Sequence, residues 1–389
     1  MKTALASNRD LGAARFAIRQ AEARLQQSGL LSNPEFELSR AGDRLTGNEG
    51  EYDFSTGFKQ RFPITGRLAK EKAVARVDVA LALAEVRNQE RLVAGEVLGL
   101  GRDWLVIRDK LQANDETMGI IQKLIESSEK RLKVAEVSAA DVNLTRIEAE
   151  KITLTQATLR IEQETAAIQL NGLLGRPPQT KVELTGSIQT EMNAAVVAEA
   201  SSRAVQQRPD RQLAALAIDR AAAEVVLAHA QKWEDWTVGF GYSRTVGKFD
   251  SPIGTKRDNL LGASISIPLP FWNKNQGKIT EAQVTRERTE AELSALELKI
   301  RTETRSAENQ MRRQSGILRQ YREVSLKLGQ ENLALLQKGY GEGLYPITAV
   351  IQAQQQLIEL RQSYLEAVAE FTRAKTAWET ATGAVLFTK

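Results

Sequence analysis

Few residues in this chain could perform chemistry. The sequence contains no cysteine, a single histidine, His229, and four scattered methionines. Soft-metal sites need several thiolate, thioether or imidazole ligands at close spacing, and the sequence offers no such group. It also lacks a glycine-rich phosphate loop and a recognisable nucleophile–base arrangement. We therefore expect a protein that is not an enzyme and that binds no metal or cofactor of its own.

The richest mixture of charged, hydroxyl and small residues occurs in one stretch that is present twice. Glu129–Leu144 recurs loosely, about 207 positions later, as Leu336–Ile351. A long internal repeat of this kind organises the rest of a fold. Each copy stands between two patterns with helical periodicity, so each predicts the tip of a helical hairpin.

The residues of the two tips suit a reversal of the chain between helices. In the first tip, Ser138 can cap the returning helix. In the second, Pro346 suits the first turn of that helix, where its missing N–H would be unpaired anyway. Glycine permits the positive φ angles of a tight turn, and the second tip contains Gly339, Gly341 and Gly343.

Apolar residues recur at every seventh position, or at alternating steps of three and four, in the helices beside the tips. Such a period is typical of helices that wind around partners in a left-handed coiled coil. Because Trp104 lies on the first stripe, we expect it to be buried between helices. The stripes beside the first tip are Val97, Trp104, Leu111, Met118, Ile125 and Leu132, then Ile147, Leu154, Ile161 and Ile168. Those beside the second tip are Ile317, Tyr321, Val324, Leu328 and Leu335, then Val350, Leu357, Tyr364, Phe371 and Trp378.

Two shorter segments have the two-residue period of β-strands. Aromatic and polar residues alternate within 52–62 and again within 236–242. We predict β-hairpins over 34–62 and 236–268, the second with a long loop over 245–258. Four strands with open edges cannot close into a barrel, whereas three copies of the chain would supply twelve. Strands of about ten residues with one apolar and one polar face are typical of transmembrane β-barrels.

The predicted fold class is mainly α with a small β part, in which long antiparallel coiled-coil helices accompany four β-strands per chain. We expect two structural repeats, 1–178 and 194–389, joined by a polar linker over 179–193. The elements of the first repeat are a helix, the hairpin 34–62, a long helix over 67–133, the tip 133–141 and a return helix to 174. Those of the second are a helix to 232, the hairpin 236–268, a long helix over 274–338, the tip 338–348 and a return helix to 382.

Charge and hydropathy argue against other classes of protein. The 53 basic and 49 acidic residues are interleaved and leave a net charge of +4. A dedicated nucleic-acid-binding protein would concentrate basic residues on one face, so we expect no nucleic-acid partner. No run of about eighteen apolar residues is present to form a transmembrane helix. No secretory signal opens the chain, and the strand pattern favours a leader that has been removed.

Several motifs give the chain a resemblance to a known family. They are Asn33-Pro34 before the first strand, Phe58–Arg67 (FKQRFPITGR), Ser266–Asn273 (SIPLPFWN) and the paired tips. In this order they make nearly the whole chain resemble the outer-membrane efflux proteins of the TolC type. Within that family the chain looks most similar to the heavy-metal resistance branch, which is CzcC-like and CusC-like.

The resemblance implies a homotrimer that forms a twelve-stranded transmembrane β-barrel in contact with outer-membrane lipid. Below the barrel, a helical tunnel would extend through the periplasm. Such a protein is the passive duct of a tripartite efflux system and works with a periplasmic adaptor (membrane fusion) protein and an inner-membrane pump. The branch suggests heavy-metal cations as the exported substrate, with drugs or other solutes as the alternative.

Carried over from the family, the two tips would dock the adaptor and surround the tunnel entrance. The residues implied are Lys133, Val134, Glu136, Val137, Ser138 and Asp141 in the first tip, and Lys338, Tyr340, Gly343, Leu344, Tyr345 and Thr348 in the second. Some members close the entrance with two acidic residues, at places where this chain has Ala349 and Gln352. With Glu342, these two residues form the candidate lining of the entrance.

A second interpretation is a soluble periplasmic coiled-coil protein, either an adaptor or a structural rod. Adaptors normally carry one helical hairpin within other β domains, whereas this sequence alternates two helical hairpins with two β-hairpins. A third interpretation, a membrane-surface protein with amphipathic helices, fits poorly because heptad stripes are narrower than a lipid-binding face. Pelleting with membranes, when the chain is made with a signal peptide, would distinguish a duct from a soluble rod.

Overall fold

The computed structural model describes residues 1–42, 50–186, 206, 208–249 and 254–383. The elements of the first half are α1 (Lys2–Ser7), α2 (Arg9–Gln27), β1 (Glu35–Gly42), β2 (Tyr52–Phe62), α3 (Arg67–Lys133) and α4 (Ala139–Leu173). Those of the second half are α5 (Pro209–Ala230), β3 (Trp236–Phe249), β4 (Gly254–Ser266), α6 (Gln276–Gln320), a π-helical turn (Tyr321–Ser325), α7 (Leu326–Gly341) and α8 (Ile347–Thr382). The predicted fold class, mainly helical with four strands, is confirmed. Residues 187–193 of the expected linker and the turns of both β-hairpins lie outside the described residues.

The longest helix, α3, has strong local signals at both ends. It contains 67 residues, which corresponds to about 100 Å at 1.5 Å per residue. It begins after Gly66, whose φ of 64° lets the chain turn sharply into the helix. Its last turn carries Lys130, Arg131 and Lys133, whose charges suit the negative end of the helix dipole. None of the described helices is both long and apolar enough to cross a membrane.

The second long helical run contains an irregularity that the sequence does not reveal. A π-helical turn at Tyr321–Ser325 separates α6 from α7, where we expected one continuous helix. A π turn takes an additional residue into the helix and changes the phase of the side chains on its two sides. The apolar residues from Ile317 to Leu335 are mostly spaced three or four positions apart. One additional residue in the helix cannot be recognised in such an irregular spacing.

The four strands form one antiparallel sheet in the order β1-β2-β3-β4. The pairing of β2 with β3 joins the two halves of the chain and leaves β1 and β4 as the edges. Residues 245–249 and 254–258 are paired strand, so the predicted loop over 245–258 is wrong. The glycine and polar residues there favour a loop locally, but ladder pairing with the neighbouring strand overrides a weak propensity.

Alternate residues divide the sheet into an apolar face and a polar face. Phe36, Phe58, Phe240 and Ala263 lie in one row across the four strands. The Phe36 and Phe58 rings are in contact, with centroids 5.0 Å apart. This apolar face is exposed in the single chain, and Leu261 is 89% exposed.

A row of glycines crosses three strands of the sheet. Gly57, Gly241 and Gly262 are paired across β2, β3 and β4. A Cβ atom on Gly57 would lie 2.9 Å from the carbonyl oxygen of Phe240, and one on Gly241 would lie 3.2 Å from that of Thr56. Strands β2 and β3 therefore approach closely at this row, which glycine permits, whereas a Cβ atom on Gly262 of β4 would meet open space.

The chain divides into two compact units. The first comprises Met1–Arg15, Glu85–Gln212 and Ala295–Lys389, and the second comprises Phe16–Ala84 and Leu213–Ser294. The second unit contains the sheet and is fixed locally by ion pairs, among them Arg67 with Asp235 at 2.7 Å and Arg220 with Asp78 at 2.6 Å.

The main core of the first unit lies between α3, α6 and α8. Its buried members include Val106, Met311, Leu318, Phe371 and Trp378. The buried Arg102 guanidinium joins two of these helices, because it donates to the Glu379 carboxylate at 2.7 and 3.2 Å and to the Thr376 hydroxyl at 2.8 Å.

Among the apolar stripes, the one on α8 is largely buried by the chain itself. There Val350, Leu357, Phe371 and Trp378 are all buried. The stripes on α4 and on α6–α7 are open along most of their length, whereas the stripe on α3 is mostly half-buried and has one exposed member, Leu132. The exposed members are Leu132, Ile147, Leu154, Ile161, Ile168, Ile317, Val324, Leu328 and Leu335.

Trp104 is only partly buried, so the expectation that it is enclosed between helices is not met within one chain. The neighbouring Arg102 and Val106 are buried instead. Residues two positions apart on an α-helix point to nearly opposite sides. The predicted stripe therefore lies on the side of α3 that faces away from this core.

Candidate functional site

The first tip is a tight C-terminal cap on α3. The N–H of Ala135 donates to the carbonyl of Leu132, and the N–H of Glu136 donates to that of Arg131, both at 3.0 Å. Ala135 has a φ of 59°. This pair of bonds around a left-handed residue is the Schellman motif, which usually contains glycine. The turn is thus ordered by its own backbone.

The return helix α4 starts with a capping box. The N–H of Asp141 donates to Oγ of Ser138 at 3.2 Å, and the N–H of Ser138 donates to Oδ2 of Asp141 at 3.0 Å. The Ser138 hydroxyl also donates to that oxygen at 2.8 Å. The hydroxyl and then the backbone N–H of Ser138 lower the pKa of the Asp141 carboxyl. The predicted N-cap role of Ser138 is confirmed.

The second tip closes in the same way. The N–H of Gly343 donates to the carbonyl of Tyr340 at 3.0 Å, and the N–H of Leu344 donates to that of Gly339 at 2.8 Å. Gly343 has a φ of 76°. Gly339 and Gly341 remain within α7, so one of the three glycines proposed for the turn supplies the positive φ.

Two residues of the second tip have roles that differ from those expected. Pro346 is the N-cap of α8, with an extended ψ of 155°, and does not lie in the first helical turn. Gly339 provides space, because a Cβ atom there would lie 2.5 Å from the ring of Tyr345. The ring of Tyr345 therefore folds back over the end of α7.

The structure gives the register of the two tips. Ala135 and Gly343, the left-handed residues of the two caps, are 208 positions apart, as are Gly175 and Gly383, both with positive φ. The sequence repeat placed the tips about 207 positions apart. The separation read from the sequence is therefore one position too short. Equivalent positions differ in chemistry, for instance Ser138 and Pro346, so the sequence could not fix the alignment of the two tips.

Most candidate docking residues are accessible. The exposed ones are Lys133, Val134, Glu136, Ser138, Lys338, Gly343, Leu344, Tyr345 and Thr348. Val137, Asp141 and Tyr340 are half-buried. Among the candidate entrance residues, Glu342 and Gln352 are exposed and Ala349 is half-buried. Val134 and Leu344 are 65% and 70% exposed, so each tip presents an apolar side chain to solvent.

A residue outside the predicted set brings the two tips together. The Arg131 guanidinium carbon lies 4.2 Å from the centroid of the Tyr340 ring, within the range of a cation–π contact. Arg146 of α4 pairs with Glu129 of α3 at 2.6 Å and fixes the first hairpin behind the tip. The sequence analysis did not identify Arg131. The one sign in the sequence was that this large charged residue occupies the position equivalent to Gly339 of the second tip.

The geometry of the site points to recognition by contact. Both tips are short, locally capped turns with accessible apolar and charged side chains. In the part of the chain that the structure describes, no group of three or more His, Asp or Glu side chains could hold a metal ion.

The chain matches a known protein family over most of its length. The outer membrane efflux protein family matches residues 1–176 and 200–384. The cobalt-zinc-cadmium resistance protein CzcC of Cupriavidus metallidurans is 20% identical over 385 residues, which covers 97% of this chain and 87% of the relative.

Solved structures of similar fold include channels. A structure of CusC, described in terms of folding and transmembrane channel formation, has a TM-score of 0.77 and 20% identity, covering 98% of this chain and 90% of that chain. The open state of the Neisseria gonorrhoeae MtrE outer membrane channel has a TM-score of 0.77 and 15% identity, covering 98% and 87%.

The family match spans both halves of the chain, and the fold agrees with it from the sheet to the tips. The resemblance found in the sequence is thereby confirmed, and the chain belongs to the outer membrane efflux protein family.

Proposed function

We propose that this chain is the outer-membrane duct of a tripartite efflux system. It assembles as a homotrimer and passively conducts substrate from the periplasm to the exterior. The observation that carries the proposal is the apolar surface that one chain leaves uncovered, on two helical stripes and on one sheet face. Additional copies and lipid would cover these surfaces.

The sheet supports assembly into a closed barrel. Both edge strands, β1 and β4, are exposed along their length, and unpaired edges invite pairing with another chain. The sheet has one apolar and one polar face. Closure by three copies, with the polar face inside, would give twelve strands with a polar lumen and an apolar face towards lipid.

The helices support packing between copies. On α4 the exposed side chains are Ile147 at 53%, Leu154 and Ile161 at 66% each, and Ile168 at 47%. On α7, Leu328 and Leu335 are 60% and 68% exposed. Narrow stripes with a seven-residue period suit knobs-into-holes packing against helices of a neighbouring copy. The resulting helical tunnel would lie in the periplasm.

The tips are the proposed docking surface for a periplasmic adaptor, and they surround the proposed entrance. Ordered caps end the helices beside Val134 and Leu344 and leave both side chains in solvent. The contact of Arg131 with Tyr340 supports a single partner for both tips, because it brings them close together. The energy for transport would come from an inner-membrane pump that the adaptor joins to the duct.

We also propose that residues 1–178 and 194–389 are two structural repeats with a linker over 179–193. The equal separation of Ala135 from Gly343 and of Gly175 from Gly383 supports this division. Equivalent backbone turns at equivalent places are expected if one half arose as a copy of the other.

The substrate proposal rests on the name of the CzcC relative, which points to divalent metal cations. Such ions would pass through without a tight site, because the chain has no cysteine and one histidine. Drugs and other solutes are the alternative.

Expression in a host that has a metal pump and adaptor but lacks its own duct tests the proposal. The chain, made with a signal peptide, should fractionate with the outer membrane and lower cellular cobalt, zinc or cadmium. Export of dyes or drugs without metals would transfer the substrate assignment to organic solutes. A chain that stays in the soluble periplasmic fraction would favour the coiled-coil rod instead.

A further inference from the structure

The apolar face of the sheet changes character at its far end. Counted from the Phe62–Trp236 row, the first rows carry mainly aromatic and aliphatic residues. The row that follows contains Arg40, Phe54, Arg244 and Asn259, and Arg257 occupies the next one. Three arginines therefore lie on the face that is otherwise apolar.

Side-chain contacts confirm that these residues share one face. The Arg40 guanidinium lies 5.3 Å from the centroid of the Tyr52 ring. The Tyr242 hydroxyl donates to Oδ1 of Asn259 at 2.7 Å. Both contacts join adjacent rows of the same face, as the alternation of a strand requires.

These arginines lack acidic partners in the described part of the chain. No ion pair joins Arg40, Arg244 or Arg257 to a carboxylate there, and Nε of Arg244 is buried without a hydrogen-bond acceptor. Asp53 and Asp258, at the same end of the sheet, occupy positions of the opposite, polar face. The basic residues of the polar face are paired, for example Lys59 with Glu37 at 2.6 Å and Arg61 with Glu35 at 2.9 Å. Among the described residues of the sheet, these arginines place unpaired positive charge on the outward face.

The depth of the arginines matches a membrane boundary. From Phe62 to Phe54 the strand rises about 27 Å, or about 20 Å along the membrane normal at a tilt of about 40°. The apolar band of a transmembrane barrel is about 25 Å tall. Arginine at its midplane is costly, whereas arginine at its boundary can bind anionic headgroups.

On the basis of the proposed barrel, we propose that Arg40, Arg244 and Arg257 bind phosphate-bearing lipid headgroups at the outer boundary of the membrane. A guanidinium matches the geometry of phosphate oxygens through paired N–H donors. Arg40 lies on one edge strand and Arg257 on the other. Closure of the sheet by three copies would therefore continue the arginine belt around the barrel.

The test uses the full chain reconstituted into vesicles of dioleoylphosphatidylcholine, either alone or with roughly one lipid in five replaced by anionic dioleoylphosphatidic acid. We expect phosphatidic acid to raise the apparent melting temperature of the reconstituted protein. Native mass spectrometry after detergent extraction should retain phosphatidic acid. The double variant Arg244→Gln/Arg257→Gln should lose both effects, and adding Arg40→Gln should not restore them.

The matched control is Lys59→Gln/Arg61→Gln, which removes two positive charges from the opposite face of the same sheet. It should keep the preference for phosphatidic acid. An equal loss in both double variants would show a nonspecific charge effect and overturn the proposal. Equal stabilisation by inorganic phosphate alone would also overturn it, because the site would then bind a soluble anion.

Membrane insertion is scored separately by flotation of the vesicles. If the wild-type chain floats with the vesicles but has no preference for phosphatidic acid, the arginine proposal fails and the proposed duct stands. If the chain does not float with either vesicle, both proposals fail.

Discussion

At the scale of the residue, Arg102 makes a buried contact whose loss should be costly. Its guanidinium is buried and makes two hydrogen bonds to the buried Glu379 carboxylate. Arg102→Ala would leave the Glu379 charge buried without this partner, so we expect a loss of about 3–5 kcal/mol in the free energy of unfolding. Thermal or denaturant unfolding in mild detergent, followed by circular dichroism, measures this loss.

The matched control is Arg288→Ala, which removes an arginine whose partner, Glu292, is also exposed. An exposed pair on one helix contributes about 0–1 kcal/mol, so this variant should unfold almost like the wild type. Equal stability of the two variants would show that the Arg102 contact does not hold α3 to α8.

A second residue, Asp141, makes the first tip sensitive to acid. Hydrogen bonds from Ser138 lower its pKa in the folded chain. Because the pKa of Asp141 is lowered by folding, its capping contacts stabilise the folded tip fully at pH values above the ordinary carboxyl pKa of about 3.9. This stabilisation is lost as the pH falls through the pKa of the folded state. We expect the amide protection of the first turn of α4 to be constant from neutral pH to about pH 4 and to fall below it.

Hydrogen exchange across this pH range, expressed as protection factors, tests the expectation. Asp141→Asn cannot titrate there, so its protection should not depend on pH over the same range. The capping role would be contradicted if the wild-type protection factors stayed constant down to about pH 2. It would also be contradicted if the protection factors of the variant still fell with pH.

The sequence predicted the residues that act through local chemistry. Ser138 was identified as a cap because capping depends on residues within one turn. Arg131 and the buried face around Arg102 were missed, since their partners are distant in sequence. Trp104 was expected to be buried and is only partly buried within one chain, because an apolar stripe does not state which neighbour covers it.

At the scale of the element, the two tips are the proposed docking surfaces. We expect Gly343→Trp or Val137→Asp to abolish export and adaptor cross-linking while trimer formation and membrane insertion are unchanged. A Cβ atom on Gly343 would meet open space, but the φ of 76° means that a bulky residue strains the turn and obstructs the surface. Val137→Asp places a charge on a half-buried apolar position.

Photo-cross-linking from Ser138 and Tyr345 to the adaptor measures docking directly. Gln112, an exposed residue in the middle of α3, is the control position. Cross-links from Gln112 together with none from either tip would move the docking surface to the sides of the helices.

The ends of the elements were more predictable than their interiors. Caps such as Gly175 and Gly383 end α4 and α8 with positive φ angles that glycine supplies readily. The π turn at Tyr321–Ser325 and the outer parts of β3 and β4 were not predicted. These features depend on helix phase and strand pairing, which local composition does not specify.

At the scale of the whole molecule, the sequence predicted a chain that is incomplete alone. The heptad period indicated partner helices but could not say which stripes pack within the chain. The structure separates them, because α8 is covered internally and α4 is open. Two free sheet edges lead to the same conclusion from a different element.

The mass of the protein in mild detergent tests the proposed trimeric duct most directly. Native mass spectrometry or light scattering corrected for bound detergent should give three times the chain mass of 43.0 kDa. The far-ultraviolet circular dichroism of the same sample should show that the β content is intact. A stable monomer or dimer with intact β content would contradict the closed barrel and, with it, the proposed duct.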